Sequence, residues 1–192
     1  IKPDHSDAWH LLGQVHFYNR EYPSAEQCLK KALEIKQDPN YLNTMGLIFK
    51  YQHQFDAAVE CFYEAIILSP TFAAGMSNLA NVLTIMGDLN HAEEYYLRAL
   101  EVEPYSKNTL SDYLFYLTYR PDISAYELFE KHTKYATLLT STSKYTDFHV
   151  SKHSNNKEKI KIGYISPNFC LHSAMHMLES LTRYANKERF EL

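Results

Sequence analysis

The sequence predicts a mainly α chain. An α-solenoid of paired helices leads into the first strand, helix and strand of a doubly wound α/β lobe. Three observations predict it. Small residues recur in phase at intervals of 33 and 34 residues. Apolar residues keep helical spacing as far as Leu139. Ile160, Ile162, Tyr164 and Ile165 then form a run of β-formers, with polar residues before it and Ser-Pro-Asn after it, which is a buried-strand signal.

The chain has 192 residues, a formal net charge of −4 and no large basic run, so nucleic acid is not expected as a partner. No apolar stretch approaches a membrane span and no signal peptide is visible, so no membrane association is expected either. Residue 1 is Ile, and a cut or processed N-terminus is the expectation. Cys28, Cys61 and Cys170 form no CxxC pair, which points to free thiols in a reducing compartment, and a cytoplasmic location is expected. The sixteen Tyr and ten Phe read mostly as packing rings of a helical array.

The repeat starts with Trp9-His-Leu-Leu-Gly13, followed by Ala25, Leu29 and Ala32. Tyr41-Leu-Asn-Thr-Met-Gly46 is followed by Ala58, Phe62, Ala65 and Pro70. Met76-Ser-Asn-Leu-Ala80 is followed by Ala92, Tyr96, Ala99 and Pro104. A 12-residue step separates the two small residues in each segment. About eight positions recur in phase, and the pattern resembles the tetratricopeptide repeat, a helix-turn-helix unit of about 34 residues.

Each recurring position has a physical reading. Gly13, Gly46 and Ala80 are small where two helices approach closely, and Ala25, Ala58 and Ala92 answer them from the second helix. Leu29, Phe62 and Tyr96 are expected to fill the gap between repeats. Pro70 and Pro104 end a repeat where the helix cannot continue. Gly87 suits a left-handed residue between helices, a slot held by Arg20 and His53 in the other repeats. Pro23 fits the first turn of its helix. The first repeat departs from the pattern. It has Gln37 at the terminal proline position, with Pro39 two residues on, and its connector is one residue short, so a local tilt is expected there. His16 takes the slot usually given to Tyr. Ile1-Lys2-Pro3 reads as the tail of an earlier repeat.

A single repeat cannot bury its apolar face, so stacking builds the core and leaves a groove lined by the first helix of each pair. Beyond Pro104, Leu110, Tyr113, Leu114 and Leu117 predict one more helix, ended by Arg120-Pro121-Asp122. Ser124-Ala-Tyr-Glu127 is a capping box for the next helix, whose stripe is Leu128, His132, Tyr135 and Leu139. His132 reads as a core or rim histidine. Residues 140–159, rich in Ser, Thr, Lys and Asn, read as a surface connector. After the strand comes a loop with Cys170 and His172. Ser173 caps a helix from Ala174 to about Tyr184, and Arg189-Phe-Glu-Leu192 starts a second strand. The boundaries are residues 1–106 for about three repeats, 107–158 for the helical connector and linker, and 159–192 for the start of the lobe.

Three pieces therefore stand in one order: the repeats, Tyr119-Arg-Pro-Asp-Ile-Ser-Ala-Tyr-Glu-Leu-Phe-Glu-Lys-His132, and Lys159-Ile-Lys-Ile-Gly-Tyr-Ile-Ser-Pro-Asn-Phe-Cys-Leu-His-Ser173. Together they resemble the protein O-GlcNAc transferases and their bacterial and SPINDLY-type relatives, glycosyltransferase family 41. The catalytic part of that family opens with a hydrophobic-Gly-Tyr-Val-Ser-Pro-Asp-Phe strand, then two residues, then His-Ser or His-Pro. Gly163, Tyr164, Ser166, Pro167, Phe169, His172 and Ser173 match this motif, and Asn168 replaces the common Asp.

The resemblance implies a Rossmann-like lobe of GT-B type. It also implies metal-independent, inverting transfer of a sugar, GlcNAc from UDP-GlcNAc, to a Ser or Thr hydroxyl of a protein acceptor held in the repeat groove. The fucose donor of SPINDLY-type relatives is the open alternative. His172 matches the family's active-site histidine, cast as a base or as a positioning group; a loop histidine that bonds backbone is the other reading. Asn78 matches an asparagine ladder that bonds peptide backbone, whereas the equivalent slots hold Leu11, Thr44 and Asp112; a solvated polar residue is the alternative. No cofactor and no metal are expected. The nucleotide-sugar donor would be bound by a second lobe beyond this sequence, and this chain alone is not expected to catalyse transfer. Cys170, His172 and His176 lack a fourth ligand nearby. A non-catalytic repeat scaffold that binds partner peptides is the alternative function.

Overall fold

A computed structural model describes residues 5–141, 160–161 and 190–191. The chain divides into two units, Ile1–Thr146 and Asp147–Leu192. The first carries eight helices among its described residues: α1 (Ser6–Tyr18), α2 (Tyr22–Ile35), α3 (Pro39–Tyr51), α4 (Phe55–Leu68), α5 (Ala73–Met86), α6 (Leu89–Val102), α7 (Lys107–Leu117) and α8 (Ala125–Ser141). In the second, β1 (Ile160–Lys161) pairs in parallel with β2 (Phe190–Glu191), Ile160 opposite Phe190. The loop and helix expected between them, with Cys170, His172, Ser173 and His176, lie outside the described residues.

The helix ends follow local chemistry. Gly87 closes α5 in the left-handed region at φ 84°, and Arg20 and His53 adopt the same region at φ 63° and 60° after α1 and α3. The slot is thus set by the turn, and two ordinary residues accept its strain. Pro23 stands in the first turn of α2. The short first connector leaves residues 36–38 between α2 and α3, against 69–72 and 103–106 in the next two repeats. Asp38 then N-caps α3, its Oδ1 accepting from the Asn40 N–H at 3.0 Å, with Pro39 as first helical residue. The capping box of α8 is formed in both directions: the Glu127 N–H donates to Ser124 Oγ at 3.2 Å, and the Ser124 N–H donates to Glu127 Oε2 at 2.9 Å.

Packing within a pair turns on the small residues. A Cβ on Gly13 would lie 2.1 Å from Leu29, and one on Gly46 would lie 2.6 Å from the Phe62 ring. Leu29 and Phe62 therefore fill the space between the two helices of their own repeat, not only the gap to the next one. Tyr96 does bridge repeats, with its ring centroid 5.9 Å from Tyr113 and 5.4 Å from Tyr116. Leu110, Tyr113 and Leu117 of α7 are buried, and Leu128, Tyr135 and Leu138 of α8 pack against the same core. Arg120 ties the α7–α8 turn back to α6. Its guanidinium donates to Glu93 Oε2 at 2.8 Å and to the Tyr116 hydroxyl at 3.2 Å, and pairs with Asp122.

The order of helix contacts positions the groove. The first helices touch in series, α1 on α3, α3 on α5 and α5 on α7, whereas among the described residues α2, α4 and α6 do not touch one another. Helices that meet on one side and splay on the other put α1, α3, α5 and α7 on the inner surface.

Candidate peptide-binding groove

Seams between successive inner helices carry polar side chains. His10 on α1 meets Thr44 on α3, Nε2 to Oγ1, at 2.9 Å. Asn78 on α5 donates from Nδ2 to Asn43 Oδ1 on α3 at 2.8 Å. The partners stand 34 and 35 residues apart, so one seam repeats the geometry of the other. Tyr41 closes the first seam at its other end, its hydroxyl donating to the Asp7 carboxylate and lying 3.2 Å from Ser6 Oγ.

The ladder positions predicted from sequence differ in what they hold. Asn78 is half-buried and spends one N–H on Asn43, which among the described residues leaves its carbonyl oxygen and second N–H for a ligand. Thr44 is buried, and its hydroxyl hydrogen goes to the Asn40 carbonyl at 2.9 Å. His10 must then donate from Nε2, which sets its tautomer. Burial lowers the His10 pKa, against the opposing pull of Asp38 and Asp7. Leu11 is exposed, and Asp112 is half-buried.

Two residues that sequence reasoning left out are the amide partner Asn43 and the cation Lys50. Burial lowers the Lys50 pKa while Asp112 pulls it back up, and burial raises the Asp112 pKa while Lys50 pulls it down. Lys50 and Asp112 therefore feel each other across α5, yet among the described residues neither makes an ion pair within 4.0 Å. The signal for Asn43 was its place one residue before the ladder slot. Nothing local marked Lys50, whose partner is 62 positions away in sequence.

This surface can do recognition chemistry. An uncommitted Asn amide offers one acceptor and one donor side by side, the pattern that answers a peptide unit. His132 sits on α8 with Nδ1 2.8 Å from the Leu128 carbonyl and is half-buried, consistent with its rim reading. Among the described residues no group of His, Cys, Asp or Glu could hold a metal ion. No described helix is long and apolar enough to cross a membrane. His172 lies outside the described residues.

Paired helices packed across small residues, Gly13 on Leu29 and Gly46 on Phe62, with a polar inner seam, define a tetratricopeptide-repeat solenoid. Residues 6–38 and 72–102 each match a tetratricopeptide repeat model. Among solved structures, a mutant of the Thermobaculum terrenum O-GlcNAc transferase has the same fold, with a TM-score of 0.78 and 19% identity over 97% of this chain and 36% of that one. A tetratricopeptide-repeat protein, YrrB, described as having an unusual peptide-binding site, is similar at a TM-score of 0.59 and 15% identity, over 73% of this chain and 72% of that one. Among curated proteins, the Protein O-mannosyl-transferase TMTC1 of Mus musculus is 30% identical over 106 residues, which are 53% of this chain and 11% of that protein. The chain thus spans about a tenth of that relative's length.

Proposed function

We propose that this chain is the N-terminal, acceptor-binding part of a protein O-glycosyltransferase that moves GlcNAc from UDP-GlcNAc to Ser and Thr hydroxyls. One observation carries the reading: the motif Gly163-Tyr-Ile-Ser-Pro-Asn-Phe-Cys-Leu-His-Ser173 follows the repeats in the same chain. The fold likeness to an O-GlcNAc transferase over 97% of the chain supports it. Residues 1–106 act as the repeat groove, 107–158 as the connector and 159–192 as the opening of the first Rossmann-like lobe. The protein works in the cytoplasm.

The repeats hold an extended acceptor, with the Asn78 amide pairing a backbone N–H and C=O independently of side-chain identity. Holding the acceptor in this way raises the effective concentration of its hydroxyls at the lobe cleft. There the acceptor oxygen attacks the anomeric carbon, the bond to the diphosphate breaks with inversion, and UDP leaves. The hydroxyl proton must depart in the same step, and His172 is assigned to take it or to orient the group that does.

One observation favours a second reading, a repeat scaffold without catalysis: both halves of the polar seam lie on α1, α3 and α5 and need nothing from the second unit. The test uses the full-length gene product, with and without His172→Ala, incubated with labelled UDP-GlcNAc or GDP-fucose and a cell lysate. Label on protein that vanishes in the variant supports the transferase and names the donor. No label from either donor, with peptide binding intact, supports the scaffold.

A further inference from the structure

Tyr18, Tyr51, Ile85 and Tyr119 recur at 33, 34 and 34 residues, each seven positions after a ladder slot. Seven residues are about two helical turns, so on α1, α3 and α5 the side chains of Tyr18, Tyr51 and Ile85 stand on the face of their ladder residues, about 10.5 Å along the axis, while Tyr119 follows the end of α7 in the turn. All four are large and exposed, at 79%, 55%, 52% and 53%. Along α1, α3 and α5 the inner surface therefore carries a second row of large exposed side chains, two rings and Ile85, beside the polar one, with the Tyr119 ring in the turn after α7.

Neighbouring rings hold this row in place. Phe17 is half-buried between two of its members, 5.6 Å from the Tyr18 centroid and 5.3 Å edge-on from Tyr51. Tyr22 stacks on Tyr51 at 6.3 Å and 20°. At the other end Phe115 meets Tyr119 edge-on at 5.3 Å. Rings already fixed by neighbours lose little freedom when a ligand covers them.

We propose that this inner face binds a proline-rich segment in the polyproline II conformation, an inference that rests on reading the face as a peptide groove. Spacing selects the occupant. Packed helix axes lie about 8–10 Å apart, which sets the step of the ring row. A polyproline II helix shows the same face every three residues, about 9.3 Å, and so meets the rings in step. A β-strand shows the same face every two residues, about 6.7 Å, and falls out of step within two repeats. Ring chemistry agrees, because flat aromatic faces receive proline rings, and the carbonyls left free by polyproline II accept from tyrosine hydroxyls and the Asn78 N–H.

Charge points the same way. In residues 11–18, 44–51, 78–85 and 112–119, which span the two rows, the Asp, Glu, Lys and Arg residues are Lys50 and Asp112 alone. These two attract each other and sum to zero. A neutral face favours a neutral ligand over an acidic or a basic one.

The test is fluorescence anisotropy on the full chain with two labelled peptides of equal length, one of four Pro-Pro-Ser triplets and one of four Gly-Ala-Ser triplets. The proline peptide is expected to bind at least tenfold tighter. Tyr18→Ala with Tyr51→Ala should remove most of that preference, with unchanged helical circular dichroism. Ile85→Tyr completes the ring row and should tighten the proline peptide severalfold, a gain that misfolding cannot mimic. Equal binding of the two peptides would overturn the proline inference and leave the groove reading standing. Binding of neither would overturn both. Proline-selective binding that survives the double tyrosine variant and ignores Ile85→Tyr would overturn the ring row as its site.

Discussion

Asn78 donates to Asn43 across 2.8 Å, so the amide expected to meet a peptide is itself aimed by an amide from the preceding repeat. The bond fixes the Asn78 rotamer and leaves one donor and one acceptor of the same amide uncommitted. Asn78→Ala should weaken an extended peptide by about fivefold to thirtyfold, the worth of two net hydrogen bonds at about 0.5–1 kcal/mol each, with little change in melting temperature. Asn43→Ala should cost less, because it releases the amide without removing it. Isothermal titration of both variants checks the order, and an Asn43→Ala loss larger than that of Asn78→Ala would contradict it.

The Gly46 contact is a matter of volume. A methyl there would sit 2.6 Å from a Phe62 ring that is fully buried and has no solvent side to move into. Gly46→Ala should destabilise the solenoid by about 1–3 kcal/mol through overpacking, despite the better helix propensity of alanine. Ala80 holds the same slot in the third repeat and is accommodated, so Ala80→Gly should cost only about 1 kcal/mol, mainly in propensity. Urea melts of the two variants compare these costs directly.

The repeat was legible because its determinants are local. Gly87 marks a left-handed turn by its lack of a Cβ, and steps of 34 and 33 residues carry the same reading to His53 and Arg20. Ser124 and Glu127 announce a cap within four residues of chain. The groove was legible only in part. The ladder slot reaches back to the preceding inner helix and the residue before it reaches forward, so Thr44 meets His10 on α1 while Asn43 meets Asn78 on α5, pairings that only the stacking of the helices reveals. Lys50 and Asp112 influence each other only because α3 and α7 flank α5, a relation that no local pattern encodes.

His10 predicts a pH dependence of the first seam. Burial lowers its pKa below the unfolded value of 6.5, so the unfolded chain binds the proton more readily than the folded one. Stability is then intact above about pH 6.5 and falls progressively below it, until pH drops past the folded pKa. The Thr44 bond does not cause the loss, since protonated imidazole still donates from Nε2. His10→Gln should flatten the melting-temperature profile between about pH 7 and pH 5. An unchanged slope would assign the acid sensitivity to another group.

Two turns should respond to glycine with opposite signs. Gly87 has φ 84° and open space around its missing Cβ, so Gly87→Ala meets no steric neighbour and pays only the left-handed backbone cost, about 1 kcal/mol. Arg20 already bears that cost at φ 63°, and among the described residues its exposed side chain makes no ion pair. Arg20→Gly should therefore stabilise the first repeat by about 0.5–1 kcal/mol, the relief exceeding the added freedom of the unfolded chain. His53→Gly should gain less, because it also removes the edge-on ring contact with Phe55 at 5.8 Å. Urea midpoints should rank Arg20→Gly above His53→Gly and Gly87→Ala below the parent, at an unchanged m-value. A stabilising Gly87→Ala would mean that the turn is not held in the left-handed region in solution.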